Sequence, residues 1–185
     1  MDINPDNDQP EQYHFNNVIF RNLYVVGPSC PNGNISFSAG THVAGNTYQW
    51  QVNTGNGYVN VANGGIYSGA TANTLVLTGA PTSMYGYKYK CIITNNSFNS
   101  YSNEFILKFS LTWTGAVNTA WENPGNWNCS SIPDAKTDVL IKAQAITNFP
   151  RVNSNAACRS ITAKPGATVT ITSGFNLTVT GPPGN

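Results

Sequence analysis

Apolar residues recur at every second position in short runs along this chain, and Gly, Pro and Asn punctuate the runs. Alternation of that kind turns one face of a strand inward and the other toward water, so the pattern predicts strands throughout. Residues 34–39 place Ile35, Phe37 and Ala39 inward. Residues 47–52 carry Trp50, a turn follows at 53–57, and 58–62 is a short strand. In 74–78, Leu75 and Leu77 face in. Residues 85–94 set Tyr87, Tyr89 and Cys91 on one face, 95–100 reads as a loop, and 104–109 closes the set. Upstream, the apolar run 18–26, with Val18, Phe20, Leu23 and Val25, predicts a first strand, or an assembly strand that pairs outside its own domain. Residues 1–17 are polar and Pro-interrupted and hold four of the eight acidic residues, the signature of a flexible tail.

A second pattern starts near Ser110. Trp113, Trp121 and Trp127 fall within fifteen residues, and Ile132-Pro133 precedes the strand-like run 138–141. Farther on, Ile161, Val169 and Leu177 are spaced by eight, as are Ala163, Ile171 and Val179. Short strands at even spacing predict either stacked solenoid rungs or a hairpin meander. Either arrangement leaves an edge that needs a partner. The expected organisation is a tail at 1–17, a β-sandwich at 18–109 and a Trp-rich β module at 110–185, all-β from end to end.

Composition narrows the functional classes. Charged residues are only 9% of the chain and the net charge is +1. No basic cluster is present to attract phosphate, which argues against nucleic acid. No apolar run reaches membrane-spanning length, which argues against membrane insertion by a helix. The four cysteines, Cys30, Cys91, Cys129 and Cys158, lack zinc-site spacing and fall two to each half, so one disulfide per module and an extracellular or cell-surface location are expected.

Catalytic and metal signatures are missing. Asp2, Asn4, Asp6 and Asp8 alternate as in a calcium loop, but the Gly and Glu that such a loop needs are absent, so no metal and no cofactor is expected. His14 and His42 sit outside any nucleophile or metalloprotease motif. Glu104, Glu122, Asp134 and Asp138 are the acidic residues outside the tail, and turn capping is the simpler account of the last two. The three tryptophans admit two readings. They either staple a module with little other core or form a flat platform for sugar rings, with surface glycans as partners.

Trp50 on one strand facing Tyr89-x-Cys91 on a later one is the core arrangement of an immunoglobulin-like sandwich, with Trp50 as the inward ring and Tyr89 as a corner whose hydroxyl bonds backbone. The motifs Cys30-Pro31-Asn32-Gly33, Tyr48-Gln49-Trp50-Gln51, Ile66-Tyr67-Ser68-Gly69-Ala70-Thr71 and Met84 through Cys91 resemble immunoglobulin-like domains of secreted and surface proteins from Bacteroidetes-type bacteria. Residues 112–180 are similar to a Trp-rich segment of the same proteins, in the order Trp113, Trp121, Asn126-Trp127, Pro133, Asp138-Val139 and Cys158. The resemblance implies a large adhesin-like protein exported by the type IX route. It also implies a Cys30–Cys91 disulfide, although Ala39 holds the place of the usual first core Cys. The expected role is therefore a non-catalytic structural or adhesive module of a longer chain. Its partners would be neighbouring modules or other copies, including a filament built by strand addition. The alternative is a carbohydrate-binding module using Trp113, Trp121 and Trp127.

Overall fold

The structure, a computed structural model, describes residues 24–25, 29–40, 42–96, 98–143 and 146–181. Two sheets form the first module. One contains β1 (Tyr24–Val25), β3 (Thr47–Asn53), β4 (Tyr58–Asn60), β7 (Lys88–Asn95), β8 (Phe98–Tyr101) and β9 (Phe105–Ile106), in the order β1-β9-β7-β3-β4 with β8 also on β7. The other runs β2-β6-β5, from Ile35–Ser38, Thr74–Leu77 and Tyr67–Ser68. Strand β1 runs parallel to β9 while the remaining pairs are antiparallel, which is the strand order of an immunoglobulin-like sandwich.

The predicted alternation decides what fills the space between the sheets. Ile35 and Phe37 on β2 stand opposite Leu77 and Leu75 on β6, and all four are buried. Trp50 lies directly across from Cys91, and neither is exposed. Phe37 stacks on Tyr89 at 4.7 Å between ring centres, and Phe105 packs against Trp50 at 6.0 Å. Trp50 donates its indole N–H to the Ala72 carbonyl at 2.9 Å, so the ring is buried without losing its hydrogen bond. Tyr89 departs from expectation. Its hydroxyl meets the Tyr67 hydroxyl at 3.1 Å rather than backbone, because β5 brings a second tyrosine to the same corner.

One further expectation is corrected and one pair of alternatives is decided. Residues 98–101 form strand β8, not loop: Asn96 takes a left-handed conformation (φ 44°) and closes a hairpin onto β7. Val25 pairs within its own chain, opposite Ile106 in β9, as the first-strand alternative expects. Val18, Phe20 and Leu23 lie outside the described residues, as does the calcium-like stretch of the tail.

The second module is a short parallel solenoid. Strands β10 (Ser110–Thr112), β11 (Asp138–Ile141) and β14 (Ser160–Ala163) stack in parallel register, as do β12 (Arg151–Val152) with β15 (Thr170–Ile171) and β13 (Ala156–Cys158) with β16 (Leu177–Val179). Register decides between rungs and meander: Asp138 lies over Ser160, Arg151 over Thr170 and Ala156 over Leu177. The eight-residue spacing therefore carries the chain from one face of a coil to the next, and a full turn takes about twice that or more. Leu111, Val139 and Ile161 form one inward column of the stack.

Trp113, Trp121 and Trp127 occupy the core of this module, each at most 2% exposed. Gly115 makes the Trp113 corner possible. Its φ of +59° is left-handed, and a Cβ there would sit 2.4 Å from the Asn148 carbonyl oxygen. That carbonyl accepts the Trp113 indole N–H at 2.7 Å, while the Asn148 amide donates to the Gly115 carbonyl at 2.9 Å. Gly115→Ala is expected to cost about 2–4 kcal/mol of unfolding free energy, since it combines backbone strain with a backbone clash. Denaturant unfolding checks this, and an unchanged midpoint would show that the corner relaxes freely.

Candidate functional site

The richest constellation of polar groups lies where the two modules meet. Backbone comes first. Ser29 donates to the Lys108 carbonyl at 3.3 Å, Ser110 donates back to the Ser29 carbonyl at 3.2 Å, and Ser29 bridges Phe109 in parallel. The Phe109 carbonyl then accepts the Asp138 N–H at 2.9 Å, so the last sandwich segment passes straight into the base of the solenoid. The Asn128 side chain and backbone hold both sides of Thr112 and thereby bring Cys129 next to this seam.

A covalent link closes the seam. Cys30 is bonded to Cys129, 99 residues away, with 5.6 Å between Cα atoms. The expected Cys30–Cys91 pairing and the one-per-module arrangement are thus both corrected. Cys91 faces inward opposite Trp50 at the centre of the sandwich, whereas Cys30 sits beside Phe109-Ser110 at its base. Cys158 points into the solenoid. Cys91 and Cys158 are buried free thiols, each pushed by burial to a pKa of about 11. For Cys158 the nearby Asp138 carboxylate adds to the rise. Thiols held that high are poor nucleophiles.

Asp138 is the hub of the interface. Its carboxylate accepts from the Tyr85 hydroxyl of the sandwich at 2.7 Å, from Arg159 at 2.8 Å and from the Ser160 hydroxyl. The Arg159 guanidinium in turn lies over the Tyr85 ring, 4.4 Å from its centre. Burial pushes the Asp138 carboxyl up, but the Ser160, Tyr85 and Arg159 donors outweigh it and hold the group below the ordinary aspartate value. Burial and the same hydrogen bond push the Tyr85 phenol well up, so it stays a neutral donor. A second contact runs parallel to this one: Thr82 donates to Asp134 at 2.5 Å, and Asp134 also caps the turn through Thr137 and the Lys136 N–H.

The remaining acidic candidates are engaged structurally as well. Glu122 accepts from the Asn153 and Ser154 backbone at 2.7 and 2.8 Å and pins two coils together. Glu104 accepts from the Tyr58 hydroxyl and faces Lys88 at 3.2 Å. No two of the four face one another across a cleft in the contacts they make. His42 meets the Tyr48 hydroxyl at 3.3 Å.

The sugar-platform reading of the tryptophans is corrected by their geometry. Trp127 stands nearly perpendicular to both Trp113 (83°, 4.9 Å) and Trp121 (79°, 4.8 Å), and all three rings are buried. A stacking platform needs coplanar, solvent-facing rings. Edge-to-face packing is what a dense aromatic core prefers. Asn126, next to Trp127, is fully buried. Its side chain receives the Val117 and Asn118 N–H groups and donates to Asn118 and the Ala120 carbonyl, clamping the loop between the first two tryptophans. Its place in an Asn-Trp pair was the available signal.

Two outcomes are expected. Peptide mapping without reductant should recover Cys30 joined to Cys129, and Cys91 and Cys158 should alkylate only after denaturation; alkylation of the native protein at either would show that its burial is transient. Asp138→Asn should weaken the junction by about 1–3 kcal/mol. A depressed folded-state pKa means that Asp138 stabilises fully above its unfolded value of 3.8 and loses that stabilisation as pH falls from there through the lower folded-state value, so the variant's deficit should shrink in acid. Unfolding midpoints from pH 7 down to about pH 2.5 test this.

Comparison with known proteins adds family-level likeness. Residues 112–182 match the model of a domain of unknown function (DUF8693), which coincides with the solenoid. The sequence matches no curated protein. The solved structure of the N-terminal four Ig domains of Dscam1 isoform 1.9 aligns over 49% of this chain and 23% of its own, at 15% identity and a TM-score of 0.36. The sandwich assignment rests on the strand order described above.

Proposed function

We propose that this chain is a non-catalytic structural module of an extracellular or cell-surface protein, which seats an immunoglobulin-like sandwich rigidly on the base of a parallel β-solenoid. The observation that carries the reading is the junction itself. A hydrogen-bonded seam, an inter-module disulfide and the Tyr85–Asp138–Arg159 cluster all lock the same two bodies together. Glu104, Glu122, Asp134 and Asp138 are each engaged in holding backbone or side chains, which supports a structural role for them. The disulfide supports an oxidising compartment. The sequence resemblance supports a bacterial surface protein, with neighbouring modules of a longer adhesin-like chain as its partners.

A rigid spacer makes a direct physical demand: the two modules must hold one orientation in solution. Spin labels placed at the exposed positions Val59 and Val117 through cysteine substitution report the distance between modules, because the native thiols are buried. A single narrow distance, broadening when Cys30 and Cys129 are replaced by serine, is the expected outcome. A broad distribution with the disulfide intact would overturn the spacer reading. The same double serine variant should lose about 4–5 kcal/mol of stability by the chain-entropy estimate for a loop of about 100 residues.

A further inference from the structure

A cleft of about 340 Å³ opens in the sandwich between the turn that follows β3 and the chain that enters β7. Residues 53–55 line one side and residues 85–88 the other. The entry to β7 lies beside the last sandwich segment, where Gly86 donates to the Leu107 carbonyl at 2.8 Å, so the cleft flanks the junction. Its volume falls in the range of small-molecule sites.

Local sequence fixes its walls. Asn53 accepts the Gly55 and Gly57 N–H groups through Oδ1 at 2.8 and 3.1 Å, which sets the turn and leaves the amide nitrogen to donate elsewhere. Gly55 (φ +127°) and Gly86 (φ +87°) hold backbone conformations that side chains rarely adopt, and a Cβ on either would meet no atom within 4 Å. Bare backbone therefore faces the opening from both sides, and a ligand can approach it closely. Tyr85 is held by its hydroxyl on Asp138 and by Arg159 over its ring, and Tyr87 packs partly against the sandwich core. Rings fixed before a ligand arrives lower the ordering cost of binding.

The charges beside the cleft are already matched. Lys88 faces Glu104 at 3.2 Å and Arg159 is bonded to Asp138 at 2.8 Å, so neither cation is left unpaired to hold an anion. Uncharged groups remain: the Asn53 amide nitrogen and the Thr54 and Tyr87 hydroxyls line the cleft and make no other hydrogen bond among the described residues. Tyrosine rings, bare backbone and uncharged donors suit a molecule with an apolar ring face rimmed by hydroxyls. We propose that this cleft binds a neutral mono- or disaccharide, its apolar face on the Tyr87 ring and its hydroxyls bonded to Asn53 and Thr54. The site is separate from the buried tryptophans, and it does not rest on the spacer role.

Amide chemical shifts of the intact chain, titrated with glucose, N-acetylglucosamine, cellobiose and lactose, test this. The expected result is saturable movement of the Gly55 and Gly86 signals with at least one of these sugars, and none with glucuronate or inorganic phosphate. Tyr87→Phe removes one hydrogen bond and should weaken the binding by about two- to tenfold. Thr54→Trp, at an exposed position, should fill the cleft and abolish binding, with an unchanged circular dichroism spectrum. No movement at Gly55 or Gly86 with any of the four sugars overturns the proposal. So does sugar binding that survives Thr54→Trp, which would place it on another surface. Tighter binding of glucuronate, lost in Lys88→Met, overturns it as well and would make the cleft an anion site.

Discussion

A stack of parallel strands has to begin somewhere, and the first strand must find its backbone partners and a covered core on one side. In this protein the end of the sandwich supplies that start. The Phe109 carbonyl takes the Asp138 N–H, the Thr137 carbonyl takes that of Arg159, and the Arg159 carbonyl takes that of Gly181, one step per coil. This column of hydrogen bonds runs from the last segment of the first module to the top of the second. Everything else in the junction acts to keep its base in place.

The side chains around that base follow from the same need. A module of some seventy residues buries too little apolar surface to be generous with stability. It compensates by concentrating large rings where the coil begins, with Trp113, Trp121 and Trp127 packed edge to face. Two of the three indole N–H groups find carbonyls, on Asn148 and Trp121. Asp138 then ties the second coil to Tyr85 of the sandwich and to Arg159 of the third coil. One half-buried carboxylate thus has a stake in both modules. Its charge is tolerated there because three donors face it.

The cysteines and tryptophans show where composition misleads. Two cysteines in each half suggested a bridge inside each module, yet the bond that forms joins the halves. Cysteine counting has no access to which thiol faces a core and which faces a seam. Cys91 opposite Trp50 has the alternation of an inward residue, and burial alone accounts for its place. Three tryptophans among many asparagines looked compatible with sugar binding, but ring orientation and exposure are properties of packing. Neither is written in spacing.

Much was determined by the sequence alone. Period-two alternation named Ile35, Phe37, Ala39, Leu75, Leu77, Tyr87, Tyr89 and Cys91 as inward; Ala39 and Tyr87 are half-buried against the core and the rest are buried, because a pleated strand allows its side chains only two directions. The eight-residue spacing announced short, even strands in the second module. Tertiary structure decided the rest. Whether those strands stack in parallel or fold back as hairpins depends on register between residues some twenty positions apart, such as Asp138 and Ser160. The Cys30–Cys129 bond and the Tyr85–Asp138 contact join residues farther apart still. Local pattern sets the face a residue presents. Only the closed chain brings two distant faces together, because that choice depends on the summed packing of both modules.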